Sequence, residues 1–287
     1  MIAVLKHELR NYFTNFTAYI FGAFLLVIIG VGAMIYNIQY SISNFEYVLS
    51  FSSIIFVVII PLLTMKVIAE ERKQKTDQLL YSLPISTTKI VIGKYLALLI
   101  IYLIPFCIIS IYPLIFSKYG EVYLLTSYCS LIAFFFVGAA LIALGVFISS
   151  LTDNQGFAAG ISVATILFNY FSVRLAEYVS ATAVGSVITI LIAIILIGII
   201  IHYITKNNTF AYATSFGLLI ITGVLYLINS SSFEGLVPNI IKKLSLFERL
   251  NTFVNGMFDL TAIVFFLSVA FFFIFLTVQS LEKRRYN

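Results

Sequence analysis

Charge is what this chain has least of. It carries 17 Lys or Arg and 12 Asp or Glu in 287 residues, 10% charged against 61% apolar, where a soluble domain of this size has about a quarter of its residues charged. That deficit excludes an ordinary soluble domain. Cysteine is scarce too: Cys107 and Cys129 both sit inside apolar runs with no second ligand nearby, which argues against a metal site or a disulfide framework and for small apolar side chains. A phosphate-cradling G-x-x-x-x-G-K-[ST] loop is missing. The one Gly-Lys pair, Gly93–Lys94, is followed by Tyr95 and has no upstream glycine, so the chain does not hydrolyse ATP by that route. A protein that moves protons or ions unaided places ionisable groups at mid-membrane depth. Here the long apolar runs hold only His202, one turn from Lys206.

What the chain does have is uninterrupted apolar length. Charge-free runs cover residues 11–45, 47–65, 95–117, 122–152, 154–173, 178–205, 207–233 and 260–281, each close to or above the roughly 20 residues that an α-helix needs to cross a bilayer core. The expected fold is therefore all-α: a polytopic helical bundle of about eight transmembrane helices in a single permease-like domain spanning 1–287, with no room for a soluble catalytic domain. The first run is long and lacks a small-x-small cleavage site, which makes it a retained anchor rather than a signal peptide. The thinnest separators are Asp153 and Lys206, and each is flanked by turn formers, Asn154 and Gly156 in one case, Asn207 and Asn208 in the other.

A pI near 9.1 serves here as a topology signal rather than as a sign of nucleic-acid binding. With both termini cytoplasmic and eight crossings, 12 of the 17 basic residues lie inside, among them Lys6, Arg10, Lys66, Arg72, Lys94 and Arg284, and 5 outside. The positive-inside rule favours that orientation over its inverse.

Several segments have a pattern of their own. In residues 1–16, Ile2, Leu5, Leu9, Tyr12, Phe13 and Phe16 recur at helical spacing with Lys6, Glu8 and Arg10 mostly off that stripe, as in a helix lying in the interface plane. Residues 66–94 hold nine of the charges. Their polar centre EERKQKTDQLLYSLP turns apolar at Leu79, Leu80 and Leu83 and stops at Pro84. A charged helix over 67–86, held between two spans, suits a docking element; the plain alternative is a linker with Glu71 and Lys75 paired at i, i+4. Ser86, Thr87 and Thr88 can cap the next span, which Pro105 and Pro113 are expected to bend. Gly156 and Gly160 form a G-x-x-x-G that permits close helix packing. Within the extracellular segment 230–258, Leu244, Phe247, Leu250 and Phe253 or Val254 recur at helical spacing, as in an amphipathic helix at the outer interface, and Gly256 and Asp259 mark a break before the last span.

Glu70–Glu71 resembles the paired glutamates of CAAX-type membrane proteases. Position 75 is Lys where those enzymes have Arg, however, and His7 and His202 supply no metal-ligating cluster.

The segment PLLTMKVIAEERKQKTDQLLYSLPISTTKIVIGKYLA, residues 61–97, resembles the hallmark of ABC-2 type exporter permeases, in particular the gliding-motility-like branch. Pro61, Met65, Lys66, Ala69, Glu70, Glu71, Arg72, Thr76, Leu79, Leu80, Pro84, Ser86, Gly93 and Lys94 fit its pattern. Residues 145–159 resemble that family's second cytoplasmic turn, and 253–269 the start of its final span. Two positions depart from it: Lys75 stands where a glycine is usual, and Gln78 replaces an acidic residue. The family core has six spans, so the sixth and seventh runs read as an insertion.

The resemblance implies a non-catalytic membrane subunit of an ATP-driven exporter in a bacterial cell membrane. Residues 1–16 would be a connecting helix. Glu70, Glu71, Arg72, Thr76, Gln78, Leu79, Leu80 and Pro84 would couple to a separate ABC ATPase, and Asp153, Asn154 and Gln155 would form the second cytoplasmic turn. It implies no cofactor on this chain, since ATP is bound by the partner, two ATPase copies and a second permease half as homo- or heterodimer. A membrane sensor or scaffold with the same fold but no transport is the alternative.

Overall fold

The computed structural model describes residues 1–76, 85–205 and 208–286, and among them every regular element is helical. Two compact units emerge, Met1–Tyr170 with Arg249–Asn287, and Phe171–Glu248.

The larger unit opens with α1 (Ile2–Thr14), α2 (Thr17–Ala33) continued by a π-helical turn (Met34–Gln39), α3 (Glu46–Ser52), a 3-10 turn (Ser53–Ile55), α4 (Phe56–Thr64) and α5 (Ala69–Lys73). After residues 77–84 come α6 (Thr87–Ile109), α7 (Tyr112–Phe116), α8 (Leu124–Leu151) and α9 (Gln155–Tyr178). The unit closes with the later part of α13 (Leu246–Val254) and α14 (Leu260–Tyr286).

The axis of this unit is α8. Its most apolar stretch is 78% buried, against 22% for α9 and 28% for α14, and it packs along α14, α4, α6 and α3. Small residues make that possible, because without a hydrophobic drive in lipid, helices associate through close van der Waals contact. At Gly138 an added Cβ would lie 2.6 Å from the Tyr102 ring, and at Gly145 it would collide with Thr64 of α4. The Tyr102 hydroxyl donates to Phe134 O at 3.0 Å, its ring stacks on Phe135, and Phe56 lies 4.6 Å from Phe134.

Local sequence explains the breaks. Asn154 Oδ1 accepts from Gly156 N at 2.9 Å and Phe157 N at 3.3 Å, capping α9 and ending any continuity with α8. Pro105 lies within α6 without ending it, and the interruption falls at residues 110–111, where α7 restarts with Pro113 in its first turn; proline is tolerated there because the amide it lacks has no partner anyway. Ser86 occupies the cap position of α6 in an extended conformation but makes no side-chain cap bond.

In the smaller unit, α10 (Ala183–Thr205) packs on α11 (Asn208–Ile228). A 3-10 turn (Ser230–Phe233) and α12 (Leu236–Leu244) follow, and the chain bends by 119° between Thr214–Ile228 and Ser230–Leu244. Gly235, at φ 65°, caps α12, and its amide donates to Ala181 O at 2.8 Å. Within 230–258 the apolar stripe falls largely on α13; Ser245, an extended residue whose hydroxyl accepts from Glu248 N at 3.3 Å, separates it from α12. The split breaks the stripe: Leu244 is exposed whereas Phe247, Leu250 and Phe253 are buried.

Among the described residues, six helical segments are long and apolar enough to cross a membrane: Thr17–Gln39, Glu46–Lys73, Thr87–Phe116, Leu124–Leu151, Gln155–Tyr178 and Leu260–Arg285. They correspond to six of the eight charge-free runs. The other two runs fall in α10 and α11 of the smaller unit. The protein is a multi-pass helical membrane protein.

Candidate functional site

Lys94 lies in the third turn of α6, with its side chain only 1% exposed. Its Nζ donates to Glu8 Oε1 of α1 at 2.6 Å, to Glu71 Oε1 of α5 at 2.6 Å and to Val67 O at 2.9 Å. All three ammonium donors are therefore used. Removing such groups from water costs several kcal/mol per ion, an expense recovered only when the geometry is good and the remaining donors are satisfied. The cluster meets both conditions and ties three separate helices to one atom.

Sequence positions the three partners differently. Gly93 lets α1 lie against α6: a side chain there would meet Met1 O at 3.1 Å and Val4 at 3.2 Å. Val4, Glu8 and Tyr12 form the buried face of α1, one residue every four. Of the apolar stripe expected for this helix, Tyr12 lies on that buried face and Leu5, Leu9 and Phe13 are half-buried. Ile2 and Phe16 are exposed, and Glu8, expected off the stripe, is buried. The Tyr12 hydroxyl donates to Leu63 O at 2.9 Å. Burial, then the carboxylates of Glu8, Glu70 and Glu71, push its phenol well above the usual tyrosine range.

α5 is held from its other side. Ser149 Oγ of α8 accepts from Ile68 N at 3.2 Å and Ala69 N at 3.1 Å and donates to Met65 O at 3.2 Å, satisfying backbone groups released where α4 ends. At the far end of α5, Thr76 N donates to Glu71 O at 2.9 Å and Lys75 N to Arg72 O at 3.1 Å, the paired bonds of a Schellman cap. Lys75 supplies the left-handed residue of that cap, at φ 58°. A glycine is usual at this position in the permeases the sequence resembles, and the geometry accounts for the preference. The alternative Glu71–Lys75 pair does not form, because Glu71 points to Lys94.

Arg72, next to Glu71, turns to the opposite side. It is 6% exposed, with Nη1 3.9 Å from Asp153 Oδ1, and Asp153 accepts from Arg284 Nη1 of α14 at 2.9 Å. Ser280 Oγ donates to Ser150 O at 3.2 Å. Both chain termini, α5, the start of α6 and the α8–α9 turn therefore meet at one end of the larger unit. An open cleft of about 880 Å³ lies there between α1 and residues 66–76, lined by His7, Glu8, Arg10, Asn11, Lys66, Glu70, Glu71, Gln74 and Thr76 among others.

Of the residues singled out from sequence, Glu70, Glu71 and Thr76 face this cleft, Arg72 and Asp153 form the second ion pair, Asn154 is a helix cap, and Gln155 begins α9. Gln78, Leu79, Leu80 and Pro84 lie outside the described residues. Gly156 and Gly160 are exposed, and an added Cβ on Gly160 would meet nothing within 4 Å. Sequence reasoning missed Glu8, Ser149 and Arg284, and took Lys94 only as part of a pattern. For Glu8 the i, i+4, i+8 series with Val4 and Tyr12 was a usable signal, as was a lysine directly after a glycine for Lys94. For Ser149 and Arg284 there was none.

The family described as ABC-2 family transporter protein matches residues 2–184 of the chain. That stretch includes Glu8, α5, Lys94, Ser149 and Asp153. No curated protein and no solved structure matches.

Proposed function

The chain belongs to the ABC-2 family of transporter proteins, and from that premise we propose that it is the permease subunit of an ATP-binding cassette exporter whose ATP is hydrolysed by a separate subunit. The carrying observation is the Lys94–Glu8–Glu71 cluster beside the cleft. The segment over 67–86 is the part an ATPase subunit would touch. Its described portion, α5, is bonded to α1 and α6 through Lys94 and to α8 through Ser149, so a push on it is delivered to three helices at once.

In this reading the clustered end is cytoplasmic, as the basic residues favour, and the protein sits in a bacterial cell membrane. Two ATPase subunits closing on ATP displace α5 in each of two permease halves, and the packed helices shift as bodies between two arrangements. ATP is the partner's ligand and this chain holds no cofactor. The exposed Gly156 and Gly160 on α9 suit the approach of another helix, as a second permease half would provide. The protease alternative loses its basis, since Glu71 serves as an ion-pair partner of Lys94.

The test is co-expression with the genes that flank its own, followed by ATP-dependent uptake of labelled substrate into inverted vesicles. The reading predicts co-purification and uptake, with both uptake and coupled ATPase activity reduced at least tenfold by Glu71→Ala. Co-purification without any uptake would favour the sensor or scaffold. Absence of an ATPase partner would overturn both.

A further inference from the structure

A second cavity, of about 490 Å³, opens at the same end of the larger unit, on the side away from α1. Its wall on α14 is graded along successive turns. Leu276 comes first, then Gln279 and Ser280, then Lys283 and Arg284, spaced at i, i+3, i+4, i+7 and i+8 on one helix face. The facing wall is made by Ser150 and Leu151 at the end of α8 and by Arg72 of α5.

Three cations line this space and no acid does. The nearest carboxylate, Asp153, lies 2.9 Å from Arg284 and 3.9 Å from Arg72 and is shared between them, and Lys283 adds a further positive charge at the rim. Ser150 Oγ is buried without a hydrogen-bond partner among the described residues. Leu151 is 54% exposed, at the last residue of an apolar span, which places the apolar part of the cavity at the edge of the hydrocarbon and the cations at headgroup depth.

We propose that this cavity binds the headgroup of an anionic phospholipid: its phosphodiester against Lys283 and Arg284, its ester oxygens near the Ser150 and Ser280 hydroxyls and Gln279, and the start of an acyl chain against Leu276 and Leu151. The gradient is what selects a lipid over a soluble anion. A free phosphate uses the cationic rim and leaves the leucines in contact with nothing, whereas an amphiphile matches the cavity along its whole depth. Basic pockets between transmembrane helices recognise acidic headgroups by this combination of charge and depth. Because Arg72 adjoins Glu71, a lipid held here would stiffen α5 from the face opposite Lys94.

The test uses the full-length chain purified in detergent, with retained lipid read by native mass spectrometry after exchange against phosphatidylglycerol or phosphatidylcholine, and thermal unfolding followed in parallel. Phosphatidylglycerol is expected to be retained about tenfold over phosphatidylcholine and to raise the melting temperature. Lys283→Gln with Arg284→Gln is expected to weaken retention about tenfold. Gln279→Glu, an exposed change that adds a negative charge at the rim, is expected to do the same without disturbing packing. Equal retention of the two lipids, retention unaffected by Gln279→Glu, or equal stabilisation by millimolar inorganic phosphate would each overturn the proposal. Retention is measured without any ATPase, so the outcome stands apart from the fate of the exporter reading.

Discussion

At one end of the larger unit Glu8 and Glu71 share the ammonium of Lys94; at the other, Glu46 is equally buried, at 1% exposure, and is held by neutral donors. Asn44 Nδ2 donates to its Oε1 at 2.9 Å and Ser127 Oγ to its Oε2 at 3.0 Å, and no cation among the described residues lies within ion-pair distance. Glu46 manages this because it occupies the first turn of α3, where the helix dipole favours negative charge. Lys94, eight residues into α6, has no such help and depends on carboxylates brought in by other helices. Where both partners are ions, as around Lys94, removing one leaves an uncompensated buried charge and costs several kcal/mol, whereas neutral donors on a carboxylate can be exchanged for others without leaving a charge behind. The end that gathers α1, α5 and α6 is thus joined by bonds that resist displacement, and the end built around Glu46 by bonds that tolerate exchange.

That contrast is broken most directly at Lys94. Lys94→Met leaves two carboxylates facing each other in a buried site and is expected to destabilise the protein by about 3–5 kcal/mol, read as a large fall in melting temperature, with loss of coupled transport. Glu8→Gln, which leaves Lys94 paired one-to-one with Glu71, should cost clearly less. If Lys94→Met melts like the wild type, the cluster carries no structural load.

Glu46→Gln sharpens the other side. An amide can still accept from Asn44 and can donate to Ser127, so the expected loss is about 1 kcal/mol. A loss as large as that of Lys94→Met would mean the two ends do not differ.

Tyr12→Phe removes the bond to Leu63 O, at about 0.5–1.5 kcal/mol near neutral pH. It also changes the pH profile. The native phenol is held above its ordinary value of 10.0, so its contribution is complete below pH 10 and is lost as pH rises toward the raised value. The wild type should lose more stability than the Phe variant above that pH; parallel alkaline melting curves would remove Tyr12 from the account of how α1 is held.

The smallest expected effect is a gain. α13 ends in the same cap as α5, with Gly256 N donating to Phe253 O at 2.9 Å and Met257 N to Thr252 O at 3.1 Å, but with glycine at the left-handed position, φ 81°. Lys75→Gly should therefore stabilise by about 0.5–1 kcal/mol, and Gly256→Ala should cost a similar amount, both measurable by thermal unfolding.

The helical class was legible because it depends on composition. Eight apolar runs with turn formers between them leave few other folds, and separators such as Asp153–Asn154 act through bonds to residues two or three positions away. The smaller unit was harder. Its runs are apolar throughout, and Leu244 and Phe247 fit one helical register; only the extended backbone at Ser245 separates Leu244 from the helix that carries Phe247, Leu250 and Phe253. The site was half legible. Glu70, Glu71 and Arg72 stood out as charges between apolar spans, but their partners lie far along the chain, Lys94 with Glu8 and Arg72 with Asp153.

By itself, then, the sequence determined that this is a polytopic helical membrane protein and where most of its apolar runs are separated, since these follow from local composition and from turn formers read a few residues at a time. Only the tertiary structure decided which charges are buried and with whom. Glu8 and Lys94 are 86 positions apart, and their meeting depends on Gly93 admitting α1, on Ser149 holding α5 and on the small residues that let α8 sit at the centre.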